Sequence, residues 1–191
     1  IIMTLYFLGM TSVWVLIPLY VQQGLGFSAF EAGMVGIPSA LLSAYSANWA
    51  GKRVNRYGRK VVIGGLLFAI FGLLASVGVV FLHEYLDLSI WWLLLSLAFF
   101  GLGQGSVVSP NQALTLAEVP LAYAGSSGAI MQTGQRIGTS VGIAVITAIV
   151  FAVRPYSSWS VAVSVGLLAV TLVILLALAM AIKDLRDRRV V

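Results

Sequence analysis

Long apolar runs alternate with short polar stretches along the chain, and this pattern predicts its helices. A helix needs about 20 apolar residues to cross the hydrocarbon core of a membrane. Six runs are long enough, so the pattern predicts an all-α membrane protein of six spans, with short connections that favour antiparallel neighbours in one bundle. The predicted spans are about 1–21, 30–51, 60–82, 90–111, 125–150 and 158–182.

Two of the six spans carry few polar side chains. Between positions 61 and 81, span three has only Ser76, and between 161 and 182 span six has only Ser164 and Thr171. Helices that are apolar all round can face lipid, so we expect these two on the outside of the bundle and the other four in its interior. Because the plain helix recurs after three spans, the pattern also indicates a three-plus-three repeat of inverted topology.

Composition narrows the class of protein. Hydrophobic residues make up 60% of the chain and charged residues 9%, which excludes a soluble globular domain. The chain has no cysteine, its one histidine lies between predicted spans, no predicted span contains a pair of acids, and the sequence shows no metal-ligand cluster. We therefore predict no metal site, no cofactor and no enzymatic activity.

The basic residues are concentrated in two places. Segment 51–60 holds five of the eleven Lys and Arg residues, and 183–191 holds four more. Basic segments next to apolar spans stay on the cytoplasmic side of a membrane. We therefore expect a multi-pass protein of the plasma (inner) membrane with a cytoplasmic C-terminal tail, 183–191, and no nucleic-acid partner.

Span four contains small and amide residues. Gly101 and Gly105 lie four residues apart, a spacing that lets a neighbouring backbone approach closely. Gln104 and Asn111 share one helical face, and an amide inside a membrane needs a partner or a wet cavity. Two interpretations of Gln104 stay open, a packing contact and a cavity lining; Asn111 is expected to line the cavity.

Span five carries an arginine near the middle of the membrane. Arg136 forms a single stripe with Gln132, Gln135 and Thr139. An arginine at that depth costs at least about 2.5–3.5 kcal/mol to insert, so it should face the protein interior or water. It is either a structural strut or part of substrate, proton or gating chemistry.

A second stripe on span five consists of glycines. Gly134, Gly138 and Gly142 repeat every four residues on a neighbouring face of the helix. This spacing predicts a close crossing with another helix. One face of span five is therefore expected to pack tightly while the adjacent face lines a polar space.

The start of the chain indicates a fragment. Ile1-Ile2-Met3 lies inside an apolar run, without a recognisable signal peptide, as expected for a piece of a longer polypeptide. No acid of the chain is clearly placed to pair with Arg136. Its partner is expected in a missing segment or in the cargo itself.

Segment 51–60 resembles a loop motif of the major facilitator superfamily, G-x-L-a-D-r-x-G-r-k, in the copy found in the C-terminal half. The matching residues are Gly51, Arg56, Gly58, Arg59 and Lys60. Arg53 stands where Leu is usual, and Asn55 stands where the family has an Asp that engages a helix end and basic partners as an inward gate. The resemblance implies a gating or topological role for this segment.

The resemblance extends over nearly the whole chain. Pro18 to Gln22, Gly33 to Pro38, the glycine-rich fourth span with Pro110, and 135–138 are similar to the last six helices of fourteen-span drug:proton antiporters. It implies one half of a major facilitator fold, in a proton-coupled exporter of small hydrophobic or cationic molecules that works by alternating access. The implied partners are the missing N-terminal half, a small-molecule substrate, protons and the lipid bilayer.

Two other functions remain open. One is transport of a defined metabolite, such as a sugar, a siderophore or an amino-acid derivative. The other is a six-helix scaffold or receptor without a transport cycle, in which loss of Arg136 would unfold the protein rather than slow a flux.

Overall fold

The structure is a computed structural model that describes residues 2–117 and 119–187, which form helices and no strand. Among these residues, six helices have 18 residues or more, and a seventh is short. They are α1 (Ile2–Leu19), the short α2 (Ala29–Met34), α3 (Ile37–Tyr57), α4 (Arg59–Leu86), α5 (Trp92–Ala117), α6 (Ala124–Val153) and α7 (Trp159–Asp187).

The six long helices lie where the apolar runs predicted spans. Five helical segments are both long and apolar enough to cross a membrane. They are Ile2–Gly24, Arg59–Leu86, Trp92–Ala117, Leu121–Tyr156 and Trp159–Arg186. The remaining long helix, α3, has 21 residues and a length of about 32 Å, but serine, asparagine and basic residues recur along it. Its length therefore suffices for a crossing, while its composition is mixed.

The expectation of a loop at 51–60 is wrong. α3 continues to Tyr57 and α4 begins at Arg59, so Gly58 alone separates the two helices. Gly58 has φ 51° and ψ −131°, a conformation that residues with a side chain rarely adopt. The basic segment is thus two helix ends joined at a glycine corner, because lysine and arginine are good helix formers.

Three other predicted bounds also shift. Span two, predicted from about 30, is divided into α2 and α3, and α3 begins only at Ile37. α5 continues to Ala117, past the predicted end at 111, and α7 continues to Asp187, so the expected tail at 183–191 begins as helix. Glu118 and the tail residues 188–191 lie outside the described residues. We call the end of the bundle that holds Gly58 the basic end.

Helix contacts confirm the inverted repeat. α1 packs on α6 and α7, α5 packs on α3 and α4, and α4 packs on α7. Exchanging α1 with α5, α3 with α6 and α4 with α7 maps each of these contacts onto another or onto itself. Because each triplet contains an odd number of spans, the second starts from the opposite end of the bundle.

Glycines bring backbones together at both repeat-related crossings. A Cβ on Gly101 or Gly105 of α5 would meet the backbone carbonyls of Ser39 and Ser43 of α3. At the equivalent crossing of α6 on α1, a Cβ on Gly138 would meet the Thr4 carbonyl, and Gly134 lies beside the hydroxyl of the same Thr4. The two crossings therefore match in geometry, although the glycines belong to an inner helix in one and to a flanking helix in the other.

Burial differs between the helices. The apolar stretch of α5 is 56% buried, whereas that of α6 is only 22% buried. The outward faces of α4 and α7 carry exposed Leu and Phe side chains such as Phe71 and Leu172, but the apolar stretches of both helices are 44% buried, more than that of α1 at 39%, and their lipid-facing position stays a prediction. The expectation that span five lies in the interior is wrong for this bundle, because α6 packs through its narrow glycine face and leaves the rest of its surface open.

We predict that Gly142→Ala destabilises the protein whereas Gly128→Ala on the same helix does not. A Cβ on Gly142 would overlap the Leu8 carbonyl, whereas one on Gly128 would meet no atom within 4 Å. Overpacking of this kind costs about 1–3 kcal/mol. Thermal unfolding of both variants in detergent measures the difference, and equal midpoints would contradict the close crossing.

Candidate functional site

The polar stripe predicted on α6 lines one cavity. Gln132, Gln135, Arg136 and Thr139 all contribute to a space of about 230 Å³. Arg136 lies about 18 Å along α6 from its first residue, since it follows Ala124 by twelve positions. The stripe thus opens well inside the length of the bundle.

The four side chains have different environments. Gln132 and Arg136 are exposed, and within the described residues Arg136 makes no side-chain hydrogen bond or ion pair. Gln135 is buried, and its Nε2 has no hydrogen-bond partner in the part of the chain that the structure describes. Thr139 Oγ1 lies 3.2 Å from Thr11 Oγ1 of α1, a hydrogen bond that anchors one end of the stripe. The other three residues of the stripe provide a guanidinium and two amides, which can form hydrogen bonds with a bound molecule.

Two residues of this cavity were not identified from the sequence. Phe7 of α1 and Gln112 of α5 also line it. Gln112 follows the predicted end of span four at 111, whereas α5 continues for six residues beyond that point. The sequence signal for Gln112 is its position directly after Asn111, where it forms a second amide at the end of the span. Phe7 adds an aromatic surface, which suits hydrophobic or cationic groups.

Gln104 and Asn111 do not join the α6 stripe. The Gln104 side-chain oxygen is buried and lacks a hydrogen-bond partner among the described residues, and Gln104 is absent from the lining of the α6 cavity. Asn111 is buried and accepts a hydrogen bond from Arg59 Nη1 at the basic end. Asn111 was expected to line the same cavity as Arg136, but it lies beside Arg59 instead.

A second polar cluster joins three helices at the basic end. Arg59, at the start of α4, donates through Nε to Asp184 Oδ2 of α7 at 2.6 Å and through Nη1 to Asn111 Oδ1 of α5. The Arg59 side chain is 8% exposed and that of Asp184 is 33% exposed. A buried guanidinium needs such partners, because an unpaired charge there costs several kcal/mol. The sequence predicts Arg59 in a loop motif and Asp184 in the tail, whereas both residues lie in helices, α4 and α7.

The Arg59 cluster borders a larger cavity. Its volume is about 500 Å³, and its lining includes Arg59, Asn111 and Asp184 together with Thr4 of α1 and Ser127 of α6. The contact of α1 with α6 forms one wall of this space. The cavity therefore lies between the two helix triplets, at the basic end of the α1–α6 crossing.

The remaining residues of the loop motif lie on the surface. Gly51, Asn55, Arg56 and Lys60 are exposed, and the N-cap position of α4 is Gly58 without a side-chain hydrogen bond. Asn55 therefore does not cap α4. All five residues that match the motif lie within the described part of the chain, and Arg59 is the only buried residue among them.

The described ranges, 2–117 and 119–187, contain no group of three or more His, Cys, Asp or Glu side chains that could hold a metal ion. The polar atoms of the α6 cavity come from amides, a hydroxyl and one guanidinium. Such a lining suits binding by hydrogen bonds and dispersion contacts.

Comparison with known proteins gives a match over nearly the whole chain. A family model described as Major Facilitator Superfamily matches residues 1–189. Six long helices arranged as a three-plus-three repeat agree with one half of that fold.

Individual relatives are similar to this chain at low identity. The "Probable actinorhodin transporter" of Streptomyces coelicolor is 29% identical over 76% of this chain and 25% of its own length. The "Lincomycin resistance protein LmrB" of Listeria innocua is 29% identical over 76% of this chain and 30% of its own length. The "Riboflavin transporter RibZ" of Clostridioides difficile is 30% identical over 68% of this chain and 27% of its own length. The matched part of this chain thus spans less than a third of each of these relatives.

We predict that Asp184→Asn lowers the free energy of unfolding by about 2–3 kcal/mol, somewhat less than for a fully buried pair because Asp184 is a third exposed. The substitution removes the charge that neutralises Arg59. Asp87→Asn is the matched control, since Asp87 is an exposed carboxylate after the end of α4. Chemical unfolding of both variants gives the values. A loss at Asp184 no larger than at Asp87 would contradict a structural role for the pair.

Proposed function

This chain belongs to the major facilitator superfamily, and from that membership we propose that it is the C-terminal six-helix half of a proton-coupled exporter. Its cargo is drugs or other small hydrophobic or cationic molecules, and it works by alternating access. The α6 stripe is the observation that carries this proposal. A guanidinium without a partner among the described residues, three amides and Phe7 meet in one cavity inside the membrane-spanning part of the bundle.

The energetics of Arg136 support a binding role over a structural one. A strut arginine is held by hydrogen bonds or an ion pair, as Arg59 is. Arg136 has no such contact within the described residues. A charged side chain in the membrane is costly without a partner or water, so its free guanidinium favours a site that is completed by cargo, by water or by another part of the protein.

The missing N-terminal half is the proposed partner of this surface. The exposed faces of α3 and α6 carry large apolar side chains, including Leu41, Ile137 and Val145. These two helices are exchanged by the internal repeat, so they form equivalent flanks of the bundle. Alternating access requires two bodies that move around a shared site, and a second six-helix half placed against both flanks would enclose the α6 cavity.

The proposed orientation places the basic end in the cytoplasm of a cell bounded by a plasma (inner) membrane. Five basic residues near Gly58 and those of the α7 end lie at the same end of the bundle. The opposite end carries Glu84 and Asp87 and a single Arg, Arg154. This asymmetry follows the distribution of Lys and Arg in membrane proteins whose basic loops face the cytoplasm.

Transport of one defined compound is the second candidate. The names of the relatives include a transporter of actinorhodin and a transporter of riboflavin, each a single compound, besides a lincomycin resistance protein. Amides and one arginine can recognise a polyphenolic or heterocyclic molecule by hydrogen bonds as well as a drug. The breadth of the substrate range separates the two candidates.

We predict that Arg136→Gln in the full-length protein lowers transport at least tenfold without lowering the unfolding midpoint, because it removes a group that binds rather than one that packs. Gln132→Ala should lower transport by a smaller factor. Lys52→Gln, which removes an exposed cation at the basic end, serves as the control. Uptake into proteoliposomes and thermal unfolding are measured on the same preparations.

Two outcomes would contradict this role for Arg136. Unchanged transport in both Arg136→Gln and Gln132→Ala would exclude the cavity as the binding site. A fall in the unfolding midpoint that matches the loss of transport would favour the scaffold or strut interpretation instead. Recovery of activity in Arg136→Lys would indicate that the charge matters more than the planar guanidinium.

We also predict that collapse of the proton gradient with a protonophore abolishes accumulation of cargo in inside-out vesicles. Lincomycin, riboflavin and a series of hydrophobic cations form the substrate panel. Export of several cations would support the multidrug function, whereas activity toward one compound alone would support the second candidate. Accumulation that persists without the gradient would contradict proton coupling.

A further inference from the structure

A groove on the opposite side of α4 from the Arg59 cluster remains without a function. It lies at the basic end, between α3, α4 and α5, and has a volume of about 360 Å³. Its rim, within five residues of Gly58, holds Arg53, Tyr57 and Lys60. Trp49 of α3 and Phe68 of α4 lie deeper, nine and ten residues from Gly58 along their helices. None of these residues lines the α6 cavity.

The mouth of the groove is cationic. Arg53 and Lys60 are both exposed, and the groove lining contains no carboxylate. The Arg53 guanidinium lies 4.4 Å from the centre of the Trp49 ring, a cation–π contact that orients it beside the groove. Neither base forms an ion pair within the described residues. Two positive charges are therefore available to an anion at this position.

The interior of the groove is apolar and open. A Cβ built on Gly64 would meet no atom within 4 Å, so this glycine leaves a free channel along α4. Phe68 and Phe71 follow it one and two turns further into the bundle, and they are 49% and 56% exposed. These side chains belong to the outward face of α4, which the apolar composition of that helix assigns to lipid.

A phospholipid matches this combination of a charged mouth and an apolar channel. Its phosphate would lie at the rim, near the interface where tryptophan and tyrosine are enriched, and an acyl chain would follow α4 past Phe68. Basic pockets between helices on the cytoplasmic side of membranes bind anionic headgroups in this way. A soluble anion would use the rim but would leave the apolar channel empty.

We propose that this groove binds an anionic phospholipid of the leaflet at the basic end, with Arg53 and Lys60 on the headgroup and the Gly64–Phe68 face of α4 along an acyl chain. The inference rests on the cytoplasmic orientation proposed above for that end. Arg53 stands where the loop motif usually has Leu, so one of the two headgroup contacts is a feature of this chain rather than of the motif.

The test is native mass spectrometry of the full-length protein, released from micelles that contain equal amounts of phosphatidylglycerol and phosphatidylcholine. We expect preferential retention of phosphatidylglycerol, and a loss of about thirtyfold in its apparent affinity in the double variant Arg53→Gln/Lys60→Gln. The matched control is Lys52→Gln/Arg56→Gln, which removes two exposed cations of the same segment that do not line the groove. The control should retain the lipid.

A second variant tests the channel independently of charge. Gly64→Leu places a side chain in the groove from a position where a Cβ meets no atom within 4 Å, and it should remove lipid binding while the unfolding midpoint is kept or raised. Equal losses in the two double variants would show that diffuse charge holds the lipid, and equal retention of both lipids would show a groove that does not select charge. Either result, or unchanged binding in Gly64→Leu, overturns the proposal. No cargo or proton gradient is present, so failure here is distinct from failure of the transport function.

Discussion

The close crossing of α6 on α1 determines the direction in which the polar stripe of α6 faces. At Gly138 and Gly142, α6 lies so near α1 that the backbone carbonyls of Thr4 and Leu8 occupy the space of a Cβ. With this face fixed, Gln132 and Arg136 of the adjacent stripe cannot pack against the α1 backbone. They face the open side of the bundle, in the cavity that Phe7 also lines, because the helical repeat sets their direction. The position of the proposed binding surface thus follows from the packing of α6 on α1.

The inverted repeat explains why this surface is open. α1 and α5 occupy equivalent central positions, whereas α3 and α6 are equivalent flanks. α5 approaches α4 through Gly65, Gly72 and Gly103, whose Cβ atoms would all meet backbone, so it becomes the most buried of the apolar spans. A flank packs on one side only. Exposed apolar residues on a flank are stable in a membrane, but a polar stripe there is not, which is why Arg136 requires water, cargo or a second body.

Much of the fold could be predicted from the sequence because its signals are local. Apolar run length predicted the long helices, and the recurrence of a plain span predicted the repeat. The prediction of a loop at 51–60 is wrong because lysine and arginine are good helix formers, and only Gly58 in that segment has a positive φ. The contact of Arg59 with Asp184 joins residues 125 positions apart, and no local pattern indicates such a pair. Gln112 was missed for a related reason, since a boundary placed at 111 removed it from the helix that carries it into the cavity.

Each of the two polar clusters contains one arginine, and the two arginines differ in their contacts. Arg59 is paired within the fold, whereas Arg136 is not paired within the described residues. Arg59 is buried and held by a carboxylate and an amide from two other helices, so its charge is neutralised and its position is fixed. At position 55, where the motif usually has Asp, an exposed Asn cannot neutralise a base, and the acid at this end comes instead from α7 through Asp184. The Arg136 guanidinium has no partner among the described residues, so its N–H groups are available to donate hydrogen bonds to another molecule. A ligand or a moving partner can therefore form new hydrogen bonds with Arg136 without breaking existing ones. New hydrogen bonds to Arg59 would first require breaking the contact that joins α4, α5 and α7.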